Sequence, residues 1–314
     1  GIDFSAFRSR LVVNLDYYYK HTKDLLVNVS IPNGASYANN IQRNNGEMVN
    51  QGVELTVSSK NFTGGEFEWS TDFNISHNEN ELKELSFRKI YSEVVAGDYV
   101  KEYLVRNEPG RSLGGFFGYI SDGVDPETGE LMYRDVNKDG RLSTSDRVYI
   151  GDPNPKFLFG LTNNFSYKGF NLSIFLQGSF GNDVYNASRM ETEGMYDGKN
   201  QTTTVLRRWK IPGQITDVPK AGFEMHPSTY FIEDGSYLRL KNISLSYDIR
   251  ARFLDKWGVS KLQPYVSLSN IATWTSYSGQ DPEMSSYNSA RSRGIDWGTY
   301  PLTKSYVFGL NIEF

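Results

Sequence analysis

The sequence has 314 residues, no cysteine, 22% charged residues and a formal net charge of −4. That balance excludes the basic stripe expected of a nucleic-acid partner, and the lack of cysteine excludes a disulfide framework and thiolate chemistry. No stretch reaches the ~20 apolar residues of a membrane helix; the mean hydropathy of −0.51 looks soluble, but so does that of a membrane β-barrel, whose strands each turn one side to a wet lumen.

Aromatic residues are abundant at 14%, with 21 Tyr and 19 Phe. The chain starts directly in a strand-like pattern with no visible signal peptide, so either that segment has been removed or these residues belong to a longer chain. Period-two alternation then recurs. In LVVNLDYYYK, Leu11, Val13, Leu15, Tyr17 and Tyr19 share one face and Asn14, Asp16 and Lys20 the other. LLVNVSI groups Leu25, Val27, Val29 and Ile31, and GVELTVSS sets Val53, Leu55 and Val57 against Glu54, Thr56 and Ser58. EFEWSTDFNISHN places Phe67, Trp69, Phe73 and Ile75 opposite Glu66, Glu68, Ser70, Asp72, Asn74 and Ser76. Strands 157–167 and 170–180 flank a tight Lys168-Gly169 turn. YLRLKNISLSYDI (237–249) alternates in two phases, which predicts a bulge near Lys241-Asn242. LQPYVSLSNIATW (262–274) is a weaker strand with an early Pro264. The chain closes on SYVFGLNIEF, with Tyr306, Phe308, Leu310, Ile312 and Phe314 on one face. The pattern predicts about nine strands and no long helix, with one short turn possible over 251–258.

Short connections (21–24, 61–65, 168–169) alternate with long ones (79–156, 181–235, 275–304). Long loops on one rim and tight turns on the other are the habit of outer-membrane barrels. The C-terminus then falls at the periplasmic rim, and 79–156 and 181–235 are extracellular loop regions. Periodicity alone also accommodates a β-sandwich or a soluble β-solenoid.

Several stretches carry more than a pattern. GFFGYISDGVDPETGELMYRDVNKDGRLSTSDRVYIGDPNPKFLFGLTNNFSYKGFNLSIFLQGSFGNDVYN (115–186), LRRWKIPGQITDVPKA (206–221), EDGSYLRLKNISLSY (233–247) and NIATWTSYSGQDPEM (270–284) resemble SusC-type TonB-dependent outer-membrane transporters of the Bacteroidetes. NNGEMVNQGVELTV (44–57) looks like a strand common to TonB-dependent receptors. The resemblance implies an all-β, antiparallel transmembrane barrel of ~22 strands around a plug. Residues 1–314 would be its C-terminal part, without plug or N-terminal strands, in a chain roughly three times as long by family size. It also implies a multi-pass outer-membrane protein that imports an oligosaccharide or peptide. Energy would come from TonB, ExbB and ExbD acting on the missing plug, and a SusD-like surface lipoprotein would be the partner. In this family the terminal aromatic strand is read by the barrel-assembly machinery, so Phe308, Leu310, Ile312 and Phe314 are its expected assembly signal, set among outer-membrane lipid.

One motif carries metal chemistry. DVNKDGRLSTSD (135–146) sets Asp135, Asn137 and Asp139 at positions 1, 3 and 5 of an EF-hand-like loop. Gly140 falls at the sharp turn, the Arg141 carbonyl at 7, Ser143 at 9 and Asp146 at 12. A structural Ca²⁺ is the expectation, although Asp at 12 and the lack of flanking helices depart from the regulatory pattern; an acidic Asx-bonded turn is the alternative. SDGVDPETGE (121–130) reads as an acidic hairpin or a second cation site. Trp274, Tyr277 and Asp281 form a candidate sugar-binding trio, or pack the loop near the barrel rim. His21, His77 and His226 are isolated, and no catalytic triad, zinc set or phosphate loop is visible, so an enzyme is not expected. The rival is a secreted, calcium-dependent glycan-binding β-protein, which leaves the terminal aromatic strand unexplained.

Overall fold

The structure, a computed structural model, describes residues 1–30, 40–44, 46–85, 90–96, 101–249, 254, 258–283, 285–286 and 289–314. Nine strands form one antiparallel sheet in chain order: β1 (Ile2–Ala6), β2 (Leu11–Thr22), β3 (Gly46–Phe62), β4 (Phe67–Leu85), β5 (Phe157–Tyr167), β6 (Phe170–Phe180), β7 (Tyr237–Tyr247), β8 (Lys261–Thr275) and β9 (Ser305–Glu313). β1 and β9 stand at the two ends of that order, as in an arc cut from a larger barrel. Among the described residues no helix is long and apolar enough to cross a membrane, which says nothing of strands.

The register follows the alternation. Trp69, Phe165, Leu172, Leu245, Val266 and Phe308 face one another in a row across six strands. One step away, Ser70, Asn164, Ser173, Ser244 and Ser267 form the matching polar row. β5 and β6 pair from Phe157–Phe180 to Tyr167–Phe170. Lys168 (φ 46°) and Gly169 (φ 89°) close them, the left-handed pair that matches the twist of a two-residue hairpin. The expected bulge is present: Lys241 is skipped in the pairing of β7 with both neighbours.

The tight turns 7–10, 63–66 and 168–169 lie at one end of the strands, together with the end of β7, the start of β8 and the end of β9. The chain leaves the sheet at the other end after β2, β4, β6 and β8 and returns there into β3, β5, β7 and β9. At the turn end, rings gather on the apolar face. Trp69 stacks on Phe165 with centroids 5.7 Å apart, Phe62 on Trp69 at 5.9 Å, and Phe170 meets Tyr247 at 4.5 Å. From the Phe67 row to the His77 row is about ten residue steps. At ~3.3 Å each and a tilt of ~40° this gives a belt ~25 Å tall, the height of a bilayer's apolar band.

Three expectations change. Leu26–Ser30 is a strand, but it pairs with Asn40–Asn44 in a separate hairpin while β2 continues to Thr22 and pairs with β3. Residues 21–24 are therefore not a turn within the sheet: alternation marks a strand without naming its partner. Ile31 and most of 251–258 lie outside the described residues. β3 and β4 run to 17 and 19 residues, well past the expected segments, because polar residues on both faces continue the pairing beyond the apolar belt. The long connections are also not structureless. Segment 90–151 holds a four-stranded sheet (Ile90–Ala96, Lys101–Asn107, Phe116–Gly118, Val148–Gly151) and the hairpin Ser121–Val124/Leu131–Tyr133. Asp183–Asn186 pairs with both Ile232–Asp234 and Ile295–Asp296, followed by a short helix, α1 (Ser188–Glu193).

Candidate functional site

The hydrophobic core lies in this loop layer rather than in the sheet. Leu104, Val105, Phe116 and Leu131 from one connection meet Tyr185, Ala187, Met190, Met225 and Phe231 from the next, and Ile295 from the last. Their apolar face is buried against one another, so three excursions fold as one unit. Backbone bonds join them, Tyr185 N to Gly294 O at 2.8 Å and Tyr119 N to Pro227 O at 2.9 Å. A side chain at Gly118 would bring its Cβ within 2.3 Å of the Pro227 carbonyl oxygen, so this close approach requires a glycine there.

Three charge clusters pin the layer. Arg239, 1% exposed on β7, donates to Asp281 and Glu283 at 2.5 Å each and to Thr273 Oγ1 at 3.0 Å. This bonds the last long connection to the sheet wall. Arg189 on α1 donates to Glu193 at 3.0 Å, to Glu233 at 3.3 Å and to the Tyr230 carbonyl at 2.9 Å. His226 lies 2.6 Å from Glu102, with Arg147 on its other oxygen at 3.7 Å. Burial pushes the Glu102 carboxyl up, but the His226 hydrogen bond and the charges of His226 and Arg147 outweigh it and hold the carboxyl below its usual value. Burial pushes the Tyr230 phenol up to about 12, against the Arg189 charge and with the help of Glu193.

The 135–146 segment adopts the sharp turn its spacing predicts, with Gly140 at φ 83°. Asp135 accepts N–H bonds from Lys138 (2.6 Å), Asp139 (3.3 Å) and Gly140 (2.7 Å). Asn137 Oδ1 accepts from Asp139 N, and Asp139 from Arg141 N. Asp146 is fully buried. It accepts from Val136, Asn137 and Ser143 N–H and from the Ser143 hydroxyl. Those bonds, Ser143 first, lower its carboxyl below the usual value. A carboxylate has about four lone-pair positions, so Asp146 is spent on the loop itself, while Asp135, Asn137 and Asp139 keep some. Among the described residues no group of three His, Cys, Asp or Glu is gathered as a metal set. The 121–130 stretch is an acidic hairpin, with Asp122 paired to Arg134 and Asp125 capping Glu127 and Thr128.

The aromatic trio separates. Trp274 is 55% exposed at the end of β8, but Tyr277 is buried and donates its hydroxyl to Asp296 at 2.7 Å. Asp281 is the buried partner of Arg239. In the terminal strand Phe308 is 76% and Phe314 88% exposed, with Leu310 and Ile312 on the same face. Sequence reasoning missed Arg239, Arg189 and Asn186. The one available signal was an arginine on the polar side of the alternating segment YLRLKNISL.

The polar face of the sheet is self-bonded: Asn164 to Ser173 and Ser166 to Asn171 at 2.8 Å, and Gln263 to Asp248 at 2.7 Å. It borders a cavity of about 480 Å³ lined in part by Ser70, Asn164, Ser173 and Ser244.

This two-faced sheet with one folded rim has close parallels. The family model described as "TonB dependent receptor-like, beta-barrel" matches residues 1–271. TonB-dependent receptor P3 of Formosa agariphila is 33% identical over the whole chain, which covers 33% of that protein. TonB-dependent receptor SusC of Bacteroides thetaiotaomicron is 28% identical, again over the whole chain and 31% of the relative. The chain spans about a third of the length of these curated relatives. Among solved structures, the RagAB peptide transporter superposes with a TM-score of 0.85 at 24% identity, over 99% of this chain and 34% of that one. The chain belongs to the TonB-dependent receptor-like β-barrel family.

Proposed function

We propose that the whole protein imports a nutrient, an oligosaccharide or a peptide, across the outer membrane. TonB, ExbB and ExbD would energise it through a plug that lies outside this chain. The observation that carries this reading is the nine-stranded sheet with a ~25 Å apolar belt on one face, a Ser/Asn face on the other, and folded connections at one rim only. The belt would meet outer-membrane lipid and the polar face the lumen. The tight-turn rim with Phe314 would lie towards the periplasm, where the terminal strand is handed to the assembly machinery.

A SusD-like surface lipoprotein would sit on the loop layer. There the 206–217 loop is held stiff by Trp209, whose indole N–H donates to the Pro126 carbonyl at 2.7 Å, and by Gln214 and Thr216 bonds to the Arg208 and Arg207 carbonyls. It presents Leu206, Ile211 and Ile215, the last 94% exposed. A rigid loop that displays aliphatic side chains suits docking, because little entropy is lost on contact. The reading includes a structural Ca²⁺ in the 135–146 loop, held by Asp135, Asn137, Asp139 and the Arg141 carbonyl while Asp146 shapes the turn.

The test is uptake of labelled oligosaccharides and peptides by cells with the gene intact, with the gene deleted, and with TonB deleted. Loss of uptake of one nutrient in both deletions is the expected result. Uptake of every nutrient at the intact rate in the gene deletion, or recovery of the protein in a soluble fraction without detergent, would refute it.

A further inference from the structure

A second cavity lies within the loop layer, away from the polar face of the sheet. It measures about 520 Å³, and among the described residues those lining it are polar or glycine. That size lies within the ~300–1,000 Å³ of small-ligand pockets, and like theirs its wall is mostly carbon with a few polar atoms set into it. Here α1 contributes Arg189 and Thr192, the following turn Thr204, and the last long connection Ser278 and Asp296. Hydroxyl and amide groups that both donate and accept match a ligand whose own groups do the same, which is the property of sugar hydroxyls.

The charge at the cavity is one-sided. Arg189 is its cation, already bonded to Glu193 and Glu233, and Asp296 adds a third carboxylate. Glu193 and Asp296 are both buried. An anionic ligand would meet excess negative charge held on buried carboxylates, an arrangement that discriminates against it. Asn186 adds an independent observation. Its Nδ2 is fixed by Glu233 at 3.1 Å and Ser278 at 3.2 Å, and its buried Oδ1 has no partner among the described residues. A buried acceptor without a donor is costly, and a ligand hydroxyl reaches this one only if the Asn186 amide turns toward the cavity that the residue lines.

We propose that this cavity is a subsite for an uncharged, hydroxyl-rich ligand, a sugar ring of an oligosaccharide, and that its carboxylates reject uronate- and sulfate-bearing sugars. The proposal rests on the import reading and narrows its substrate from oligosaccharide or peptide to neutral oligosaccharide. The test uses the full-length protein in detergent, titrated calorimetrically with neutral trisaccharides of glucose, galactose, mannose and xylose, with their uronate or sulfated counterparts, and with tripeptides. At least one neutral trisaccharide should bind, and its anionic counterpart at least tenfold more weakly. Thr204→Trp, at a partly exposed position, should fill the cavity and weaken that binding tenfold or more. Gln280→Lys, exposed at the cavity edge, should narrow the gap between neutral and anionic ligands without filling anything. Equal binding of the charged and neutral forms, binding unaffected by both variants, or binding of tripeptides alone would overturn the assignment. TonB-dependent uptake that persists unchanged in Thr204→Trp would sink the subsite while leaving the import reading standing; loss of TonB dependence would sink the import reading itself.

Discussion

Removing the Arg239 side chain tests whether the last long connection is latched to the sheet by charge. In Arg239→Met the stem packing is largely kept, but Asp281 loses its guanidinium in a site where both partners are buried. Breaking a buried pair by deleting one partner costs about 3–5 kcal/mol. Glu283 is about a third exposed, so water replaces part of what it loses, and the low end, about 3 kcal/mol, is the expected value. At 1.4 kcal/mol per factor of ten, local opening of 276–304 should rise about 100-fold, read by amide exchange in that segment while protection in β5 and β6 stays unchanged. Asp281 also accepts from the Glu283 and Leu302 N–H groups. Asp281→Asn keeps an acceptor for the shorter of these, from Glu283 N–H, and gives up only the long one from Leu302 N–H, so the double variant Arg239→Met/Asp281→Asn should recover to within about 1 kcal/mol of the parent. Exchange in 276–304 that rises less than about threefold in the single variant, or single effects that simply add in the double, would refute the latch.

Truncating Phe314 together with Phe308→Ser should reduce the folded, heat-modifiable barrel in outer-membrane fractions, while Phe314→Tyr should not; equal amounts in all three would remove the assembly-signal reading. Ile211→Glu with Ile215→Glu should weaken co-purification of the surface lipoprotein by about tenfold or more, since exposed aliphatic anchors of this kind carry ~1–2 kcal/mol each at an interface, and the thermal midpoint should stay put because neither side chain is buried. Acid should loosen the loop layer. Glu102 titrates below its ordinary value of 4.5 in the folded state, so its contribution is present above about pH 4.5 and is lost as pH falls through that lower value; protease sensitivity of 101–133 that is flat from pH 6 to pH 3 would contradict this. Calcium should protect 135–146 from cleavage, chelation should reverse that protection, and Asp135→Ala should abolish it; identical digestion with and without chelator would leave the loop an Asx-bonded turn.

What was legible in the sequence is what period two encodes. The apolar and polar rows of β5 to β9, the Lys168-Gly169 turn and the Lys241 bulge all follow from local alternation and turn chemistry, and each is found. The strand-like start of the chain was legible, but not the turn that makes β1 and β2 neighbours, because that turn runs through Phe7, Arg8 and Ser9, all at positive φ and none a glycine. No local rule announces such a turn. The core of the loop layer was hidden for a related reason: Val105, Phe116, Tyr185 and Ile295 come from three connections far apart in the chain, and their short strands carry too few residues to show a period. The candidate trio failed as a platform on burial alone. Tyr277 and Asp281 look like surface ligands in a Ser- and Gly-rich stretch, but their partners Asp296 and Arg239 are 19 and 42 residues away.

The two halves of the molecule are stabilised against different solvents, and this decides how each should be read. In the loop layer, burial against water identifies the core, and Phe116, Tyr185 and Phe231 stand out. In the sheet the same measure inverts: Phe4, Tyr17, Phe170 and Phe308 are exposed because the phase that would cover them is lipid. A polar substitution on that face is then the damaging one. Charges there cost ~2–4 kcal/mol at mid-belt and little at its edges, whereas a change from Ser to Ala on the opposite row should be nearly silent. The polar trio Ser59, Thr71 and Asn163 sits on the apolar face only two rows above the Phe67 rim, and it obeys the same rule. Thr71 donates to Asn163 at 2.7 Å and Asn61 to Thr71 at 2.9 Å, so these groups satisfy one another before any lipid reaches them.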